Sequence, residues 1–598
     1  MTVTPVPTDL GDLPEWDLSD LYGAPDAPEL ATDLDAAGGD AAAFRERYHD
    51  RLDTFSGDEL AAAIAEYEAI EEVLGRIMSY AGLRYAADVG DAERARFNQN
   101  MHERVNDIAT RLLFFTLEIN RLDEAELEAK LGSAALAHYA PWLRDVRAFR
   151  DHQLEDRIEE LLHEKAVAGR AAWVRLFDET IAALRFPIYD KEMTSQEAFN
   201  LLTDKDGRVR QRAAQAIGSV LGEHVRGFAL ITNTLAKDKE IEDRWRSFPR
   251  PVSSRNLVNQ VEDEVVDALV TAAKAAYPNL SHRYYALKAR WMGKDRLDYW
   301  DRNAPPPESD ERPIPWAKAE RIVLDAYGAF NGEMADIGRR FFGTGWIDAS
   351  VRPGKSPGAF SHSTVPSAHP YILLNYQGKT RDVMTLAHEL GHGVHQVLSA
   401  GQGMLMADTP LTLAETASVF GEMLTFQALL RDAGDPVRRR TLIAAKVEDM
   451  INTAVRQIAF HEFERQVHDE RRGGELSVDR LGEIWLAVQG ESLGPAIKLD
   501  GDYRHYWSYI PHFIHAPFYV YAYAFGDCLV NALYAVYREA DDGFAGRYLD
   551  MLRAGGTKRH RELLAPFDLD AGDPAFWRRG LGVIEGLIDE LEDLEGAK

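Results

Sequence analysis

His388-Glu389-Leu390-Gly391-His392 carries the strongest chemical signal in this sequence. On an α-helix, residues four apart lie on one face, so His388 and His392 can offer two imidazoles to one metal ion. Glu389 projects beside that pair, where its carboxylate can take a proton from a water molecule at the metal. The pattern predicts a catalytic zinc site, and the open alternative is a surface helix that happens to carry two histidines.

The residues that flank this motif are typical of an α-helix. Thr380 and Asp382 are suitable capping residues ahead of it. Apolar residues then recur at helical spacing, namely Val383, Met384, Leu386, Ala387, Leu390 and Val394. We therefore expect both histidines to lie on one continuous helix.

A catalytic zinc site takes about three protein ligands, which leaves a position for water. Downstream of the motif, Thr409 as a cap and Pro410 in the first turn indicate a helix that places Glu415 among apolar residues. Burying an unpaired carboxylate is costly, so a metal ion would explain Glu415 there. Glu422 lies about two turns further on the same face, where it is predicted to orient a ligand histidine. Two solvent-facing acids near a helix start are the alternative.

His395 is a rival third ligand, because it shares a helical face with His388 and His392. That pair spans about 6 Å along the helix axis, and His395 lies about 4.5 Å beyond it. One ion cannot easily bind all three side chains. We therefore expect His395 to support a ligand from behind or to lie on the surface.

Further motifs accompany HELGH in a fixed order along the chain. They are Ser281-His-Arg-Tyr-Tyr-Ala-Leu-Lys288, Pro366-Ser-Ala-His369-Pro-Tyr-Ile-Leu-Leu-Asn375-Tyr, Gly401-Gln-Gly403, Leu413-Ala-Glu415-Thr-Ala-Ser and Tyr509-Ile-Pro-His512-Phe. With these motifs the sequence resembles the thimet oligopeptidase / oligoendopeptidase F family of zinc peptidases, in particular the oligoendopeptidase F branch. The resemblance implies a mostly α, multi-lobed, zincin-like metallopeptidase with a small β-sheet beside the zinc helix and a deep substrate channel.

The same resemblance implies a function. The expected activity is that of a zinc-dependent endopeptidase that hydrolyses internal bonds of short, unstructured oligopeptides. One Zn²⁺ per chain would be held by His388, His392 and Glu415, with Glu389 as the general base.

Family members also use a histidine and the tyrosines that follow it to stabilise the tetrahedral oxyanion. His512 matches that histidine. If a helix begins near Pro517, Tyr519 and Tyr523 share a face, whereas Tyr521 points away and packs in the core. We therefore expect His512, Tyr519 and Tyr523 to act in catalysis beside Glu389.

A convincing β signal lies at about residues 357–377. The segments Pro357–Ser361 and Tyr371–Tyr376 are predicted strands. An edge strand ahead of the zinc helix can bind an extended peptide through main-chain hydrogen bonds. The predicted substrate-binding residues are Gly358, Ala359, His369 and Tyr371. A hairpin that only packs against the zinc helix is the alternative.

The rest of the chain is predicted to be helical. Helices are expected at about 56–86, 91–121, 124–137, 152–184, 207–245 and 262–292. The short extended segment Phe186–Tyr189 precedes a new helix after Ser195, which indicates a boundary near residue 200. The predicted domains are an N-terminal helical domain over 1–200 and a catalytic domain over 201–598.

Composition restricts the partners and the compartment. The net charge of −29 disfavours nucleic acid, which is bound by clustered Lys and Arg. The single cysteine, Cys528, cannot form an internal disulfide and favours a reducing compartment. The first residues show no signal peptide, and no apolar run reaches the roughly 18 residues of a membrane span. We expect a cytoplasmic protein whose partners are oligopeptides; its oligomeric state is not predicted.

Two other functions remain open. Carboxypeptidase or dipeptidase action would use the same fold, because end-selective cleavage depends on loops that the sequence does not identify. A catalytically silent helical protein that binds peptides is the second alternative. The intact Glu389 argues against it, since a structural metal site has no need of a base there.

Overall fold

The computed structural model describes residues 10–306, 313–539 and 543–596. The N-terminal residues on which the absence of a signal peptide was predicted therefore lie outside the described residues. Of the described residues, 72% are helical, which confirms the predicted mostly α fold. Within the described ranges, no helix combines the length and the apolar character needed to cross a membrane.

The chain forms two compact units, and each unit is assembled from three stretches of sequence. Unit 1 comprises Met1–Arg150, Glu311–Asp432 and Glu539–Asp568. Unit 2 comprises Asp151–Asp310, Ala433–Arg538 and Leu569–Lys598. None of these boundaries coincides with the expected division near residue 200, so a separate N-terminal domain over 1–200 stays a prediction.

Unit 1 contains the helix with the HELGH motif, Thr380–Ser399. Its N-terminal helices are Pro28–Tyr48, Gly57–Ala87, Ala92–Arg121, Glu124–Lys130, Ala134–His138 and Ala140–Arg147. The later helices are Trp316–Phe330, Gly332–Gly343, Leu411–Ala414, Thr416–Arg431, Phe544–Arg553 and His560–Leu564.

Unit 2 is also helical. Its α-helices are Asp156–Ala166, Arg170–Ala183, Ser195–Asn200, Gly207–Trp245, Ser253–Val258, Asp263–Ala276, Arg283–Trp291, Pro436–Met450, Arg456–Arg471, Val478–Leu493, His512–His515, Tyr521–Glu539 and Pro574–Gly596. Pro278–His282 and Ile451–Val455 are π-helical turns that join consecutive α-helices. The short 3₁₀ segments of the chain are Leu52–Thr54, Arg150–His152, Leu201–Thr203, Tyr299–Asp301, Ala400–Gln402, Gly501–Tyr509, Gly555–Thr557 and Ala565–Phe567.

Local capping explains why some predicted helices are accurate and others are not. The Ser56 hydroxyl accepts a hydrogen bond from the Glu59 amide, and the Glu59 carboxylate accepts one from the Ser56 amide. The helix Gly57–Ala87 therefore begins where this capping box predicts. The helix predicted over 152–184 is instead two helices. It breaks at Gly169, whose amide bonds back to the Lys165 carbonyl and closes the first of them.

Three short strands of unit 1 form the sheet that precedes the HELGH helix. Tyr371–Leu373 is central, parallel to Ile347–Asp348 and antiparallel to Phe360–His362. Phe360–His362 is therefore an edge strand. It begins later than predicted because Gly358 adopts a φ of 84°, a turn conformation suited to glycine. The two-residue strand Ile347–Asp348 was not predicted, since it is too short to show a periodic pattern.

Two small sheets of unit 2 were also not predicted as sheets. Phe186–Ile188 pairs antiparallel with Lys191–Met193, and Leu297–Asp298 pairs parallel with Ile497–Lys498. The first is a hairpin whose turn residue Tyr189 has a φ of 57°. The expectation of an extended segment at 186–189 is correct, but its partner strand was missed.

Glycine sets the distance between the HELGH helix and the helix Thr416–Arg431. A Cβ added at Gly391 would lie 2.5 Å from the carbonyl oxygen of Ala417 and 2.7 Å from the Cα of Ser418. Both neighbours are backbone, so neither can rotate away. Gly391 therefore permits a backbone-to-backbone approach that any side chain would prevent.

Replacing Gly391 with Ala should lower the free energy of unfolding by about 1–3 kcal/mol, because the added methyl group must push two helix backbones apart. Gly82→Ala is the matched control, since no atom lies within 4 Å of a Cβ built at this helical glycine. It should stabilise unit 1 by up to about 1 kcal/mol. Denaturant unfolding of both variants measures the difference, and equal stability of Gly391→Ala and wild type would contradict the packing argument.

Candidate active site

His388, His392 and Glu415 converge in unit 1. Glu415 Oε2 lies 3.3 Å from His388 Nε2 and 3.6 Å from His392 Nε2. One potential ligand atom from each residue lies within 4.8 Å of the other two. Two imidazoles and one carboxylate at these separations fit the three-ligand set of a catalytic zinc site.

Glu415 lies at the junction of two helices rather than inside the single helix predicted from Thr409. Leu411–Ala414 ends at Glu415, and Thr416–Arg431 begins after it. Ser418 Oγ donates a hydrogen bond of 2.7 Å to Glu415 Oε2 and so fixes the carboxylate. Burial opposes ionisation of Glu415, but the charges of both histidines and this hydrogen bond lower its pKa. The carboxylate is therefore ionised, as a metal ligand must be.

Glu422 contacts the first histidine from the side away from Glu415. Its Oε2 lies 3.3 Å from His388 Nδ1, whereas the Nε2 atom of the same ring points to Glu415. Although burial opposes it, hydrogen bonding to Glu422 and the charges of the nearby glutamates raise the pKa of His388 to about 9. The sequence predicted a ligand-orienting residue here, and the geometry is the one that this role requires.

Glu389 belongs to the same cluster but not to the set of ligand atoms. Its side chain is buried, with 7% exposure. Burial, followed by repulsion from Glu415 and Glu422, raises the pKa of Glu389 to about 7 against the opposing charge of His388. A carboxylate with a pKa near neutrality is well suited to exchange protons with a reacting group at physiological pH.

His395 is buried in unit 1, with 6% exposure. Burial lowers the pKa of its imidazole to about 4, so the ring is neutral. Among the described residues, it does not belong to a group of side chains spaced to hold a metal ion. The expectation that it is not a ligand agrees with this position, whereas the surface alternative is wrong.

The edge strand Phe360–His362 is attached to the HELGH helix through Ser361. Its hydroxyl donates to Gln396 Oε1 at 2.9 Å, and Gln396 Nε2 donates to the Ser361 carbonyl at 3.4 Å. Gly358 and Ala359 lie just before this strand, and the Gly358 carbonyl accepts a hydrogen bond from Asn375. Sequence reasoning missed Ser361 and Gln396, because a serine and a glutamine at these positions form no recognisable motif.

His369 and Tyr371 are held by the N-terminal segment of unit 1. The His369 ring stacks on Trp346 with a centroid distance of 3.8 Å, and its Nε2 lies 2.7 Å from Asp20 Oδ2. Tyr371 is fully buried and donates to the Asp17 carbonyl at 2.9 Å. A buried ring offers no surface to a peptide, so the Tyr371 side chain has a packing role, and substrate binding by its main chain stays a prediction. The His369 ring is occupied by its stacking on Trp346 and its contact with Asp20.

In unit 2, His512, Tyr519 and Tyr523 form one cluster. His512 Nε2 lies 3.4 Å from the Tyr523 hydroxyl. The ring centroid of His512 lies 5.8 Å from that of Tyr519 and 5.9 Å from that of Tyr523. The centroids of the two tyrosine rings are 5.3 Å apart. The three predicted side chains therefore lie together as a group of potential hydrogen-bond donors.

The predicted start of the tyrosine helix at Pro517 is wrong. The helix is Tyr521–Glu539. Ahead of it, Phe518 adopts a left-handed backbone conformation with a φ of 60°, which a helix starting at Pro517 does not allow. The Phe518 amide donates to the buried Glu464 at 2.8 Å, which holds this strained turn. Burial raises the pKa of Glu464 to about 8. Glu464 had no sequence signal, because a glutamate on a helix is ordinarily solvated.

Tyr521 occupies the core of unit 2, as predicted. Its side chain is fully buried, and its hydroxyl accepts a hydrogen bond of 2.8 Å from Asn259 Nδ2. Tyr521 therefore lies outside the cluster that Tyr519 and Tyr523 form with His512, although it lies between them in sequence.

Comparison with known proteins assigns the chain to a protein family. The sequence profile of peptidase family M3 matches residues 330–583, which include HELGH, Glu415 and His512. A second profile, oligopeptidase F, matches residues 118–186. The two ranges together span more than half of the chain. The chain belongs to peptidase family M3. The resemblance to the oligoendopeptidase F branch is thereby confirmed, and the protein is a peptidase.

Relatives of this M3 peptidase match over most of their length. Oligopeptidase PepF of Bacillus subtilis is 26% identical over 90% of this chain and 81% of the relative. An oligoendopeptidase F homolog of Lactococcus lactis is 24% identical over 90% of each chain.

Solved structures share the fold. A peptidase from Chlamydophila abortus superposes with a TM-score of 0.87 at 23% identity, covering 97% of this chain and 98% of that one. Oligoendopeptidase-F from Enterococcus faecium gives a TM-score of 0.72 at 21% identity, covering 95% and 98%. These likenesses confirm the predicted multi-lobed helical architecture.

The metal ligands can be tested by zinc content. Glu415→Ala should lose its zinc when dialysed against sub-micromolar zinc, because the site is left with two imidazoles. His395→Ala should keep one zinc per chain, since His395 lies outside the ligand group. The zinc-to-protein ratio of each folded variant gives the answer, and retention by Glu415→Ala with loss by His395→Ala would overturn the assignment.

Proposed function

We propose that this M3 peptidase is a zinc-dependent endopeptidase that cleaves internal bonds of short, unstructured oligopeptides. The observation that carries the proposal is the convergence of His388, His392 and Glu415 beside a buried Glu389. The names of its relatives, oligopeptidase and oligoendopeptidase F, support the substrate class. A zinc ion held by the three ligands would supply a Lewis acid that polarises a peptide carbonyl and promotes ionisation of water.

Glu389 is the proposed general base. It accepts a proton from the attacking water and later donates it to the leaving amine. Its burial beside Glu415 gives it the basicity that this double role requires. His388 is held in one ring orientation by Glu422, so that the Nε2 atom faces the metal position.

The edge strand Phe360–His362 is the proposed docking site for the substrate backbone. An extended peptide added to this edge would be held by main-chain hydrogen bonds, which do not depend on its side chains. Gly358 and Ala359 extend the same edge at its N-terminal side. Ser361 and Gln396 would keep this edge at a fixed position relative to Glu389.

His512, Tyr519 and Tyr523 are the proposed donors to the oxyanion. Their mutual contacts and the family resemblance support this role. Each donor aimed at a developing oxyanion contributes about 3 kcal/mol to transition-state stabilisation. Glu464 would act indirectly, because it fixes the turn at Phe518 that immediately precedes Tyr519.

The position of cleavage distinguishes an endopeptidase from the end-selective alternatives. A defined peptide of about ten residues, acetylated at its N-terminus and amidated at its C-terminus, lacks the charged ends that carboxypeptidases and dipeptidases recognise. We expect internal cleavage of this blocked peptide, with products identified by mass spectrometry. Cleavage of the unblocked peptide alone would replace the endopeptidase proposal with end-selective action, and cleavage of neither would favour a silent binding protein.

Glu389→Gln should retain zinc and fold but lower kcat by about 10²–10⁴-fold, because the amide cannot accept the proton. Glu333→Gln is the control, since this exposed glutamate of unit 1 pairs with Arg553. Single-peptide kinetics with measured zinc content test the expectation. Near-normal turnover by zinc-loaded Glu389→Gln would refute the mechanism.

Tyr519→Phe and Tyr523→Phe should each lower kcat and kcat/KM together by up to about 10²-fold, with little change in KM. Tyr521→Phe should leave kcat unchanged. It should instead reduce stability by about 1 kcal/mol, because it removes the hydroxyl that accepts from Asn259. Steady-state kinetics on the three variants separate the roles, and a kcat loss confined to Tyr521→Phe would contradict them.

A further inference from the structure

A cavity of about 290 Å³ lies within unit 2 and has no role in the chemistry described above. Aromatic rings form most of its wall, including Phe199, Tyr299, Trp485 and Tyr509. Two guanidinium groups, those of Arg302 and Arg456, line the same space. An aromatic cavity with two convergent cations is a candidate binding site for an anionic group.

Two of the side chains that line the cavity carry a buried donor without an acceptor. The Nε of Arg456 and the Nε1 of Trp485 are buried and have no hydrogen-bond partner among the described residues. Buried donors in folded proteins are normally paired, so the protein itself leaves the polar groups of this wall incompletely satisfied. The Tyr503 and Tyr506 hydroxyls of the wall donate to Gln489 and to the Ala214 carbonyl.

The charges are also unbalanced. Within residues 10–306, 313–539 and 543–596, no carboxylate lies within ion-pair distance of Arg302 or Arg456. Burial lowers the pKa of Arg456, and the positive charge of Arg302 lowers it further. Like charges in an enclosed space repel, and a bound anion would relieve both the repulsion and the loss of solvation.

We propose that this cavity binds a carboxylate, specifically the α-carboxylate of a C-terminal amino-acid residue with an apolar or aromatic side chain. Guanidinium groups match a carboxylate in shape and charge. The aromatic wall suits an apolar side chain. The volume lies near the lower end of the range for small-ligand sites, about 300–1,000 Å³, which fits a single residue better than a whole peptide.

The cavity is close in sequence to the residues that are proposed to bind the oxyanion. Tyr509 lines the cavity, and His512 follows it after Ile510 and Pro511. Assigning the carboxylate to a substrate or product peptide rests on the proposed peptidase function. Binding of a free carboxylate does not, so the two can fail separately.

The first experiment measures binding without hydrolysis. N-acetyl-L-phenylalanine and its C-terminal amide are titrated calorimetrically into the zinc-loaded, full-length protein. The acid should bind at least about tenfold more tightly than the amide, because the amide cannot accept charge-assisted hydrogen bonds from two guanidiniums. Equal affinities for the two probes would overturn the proposal.

Variants assign that binding to the cavity. Arg456→Met should weaken binding of the acid by at least about tenfold and leave the amide unaffected, and Arg456→Lys should restore part of the affinity. Arg480→Met is the matched control, because Arg480 forms surface ion pairs with Glu470 and Glu483. If Arg456→Met does not fold, Arg302→Met takes its place. Wild-type affinity for the acid in a folded variant of either arginine would also refute the site.

A kinetic comparison identifies the source of the carboxylate. One oligopeptide is assayed with a free and with an amidated C-terminus. If the substrate itself occupies the cavity, amidation raises KM in the wild type and has no effect in Arg456→Met. If KM is unchanged by amidation while the acid probe still binds, the occupant is a free carboxylate such as a cleavage product. Absence of hydrolysis with both peptides would refute the peptidase proposal and leave the binding result standing.

Discussion

Electrostatic repulsion among buried acids is the constraint on which the candidate active site depends. Glu389, Glu415 and Glu422 surround His388 and His392 in an enclosed part of unit 1, and their charges repel one another. Two imidazoles can neutralise this cluster only by holding protons. A divalent cation neutralises it more completely, and it requires the imidazoles to be neutral. Burial, together with this repulsion, makes Glu389 more basic than an exposed glutamate, so the enclosure of the site also sets the chemistry of its base.

The cluster exists because two helices approach each other without intervening side chains. Gly391 faces the backbone of Ala417, and the Tyr327 hydroxyl donates to the Ala387 carbonyl on the same helix at 2.6 Å. A wider spacing would withdraw Glu415 from the histidines. The second glycine of the region, Gly393, similarly lies against the Phe341 ring. Both glycines of HELGHG are therefore packing residues, and Gly391 sets the distance between the two histidines and Glu415.

The sequence was informative wherever chemistry or capping is local. HELGH occupies little more than one helix turn, and the capping box from Ser56 to Glu59 spans four residues, so both were predictable. Glu415 was predictable because an acid among apolar residues demands a partner. The tyrosine helix was misplaced because the turn at Phe518 depends on Glu464, which is 54 residues away. His369 contacts Asp20 and Tyr371 contacts Asp17, which lie 349 and 354 residues earlier in the sequence. No periodicity in the sequence reveals such distant contacts.

The interleaved arrangement of the two units has a consequence for synthesis. Each unit takes its first stretch from the N-terminal half and its last from the C-terminal region, and unit 2 is completed by the terminal helix Pro574–Gly596. A chain emerging from the ribosome therefore exposes incomplete cores of both units until the third stretch of each unit has been made. Contacts between such distant segments form slowly, because long loops must close first. We therefore expect nascent chains of this protein to depend more on chaperones, and to tolerate loss of the helix Pro574–Gly596 less well, than chains whose domains follow one another in sequence.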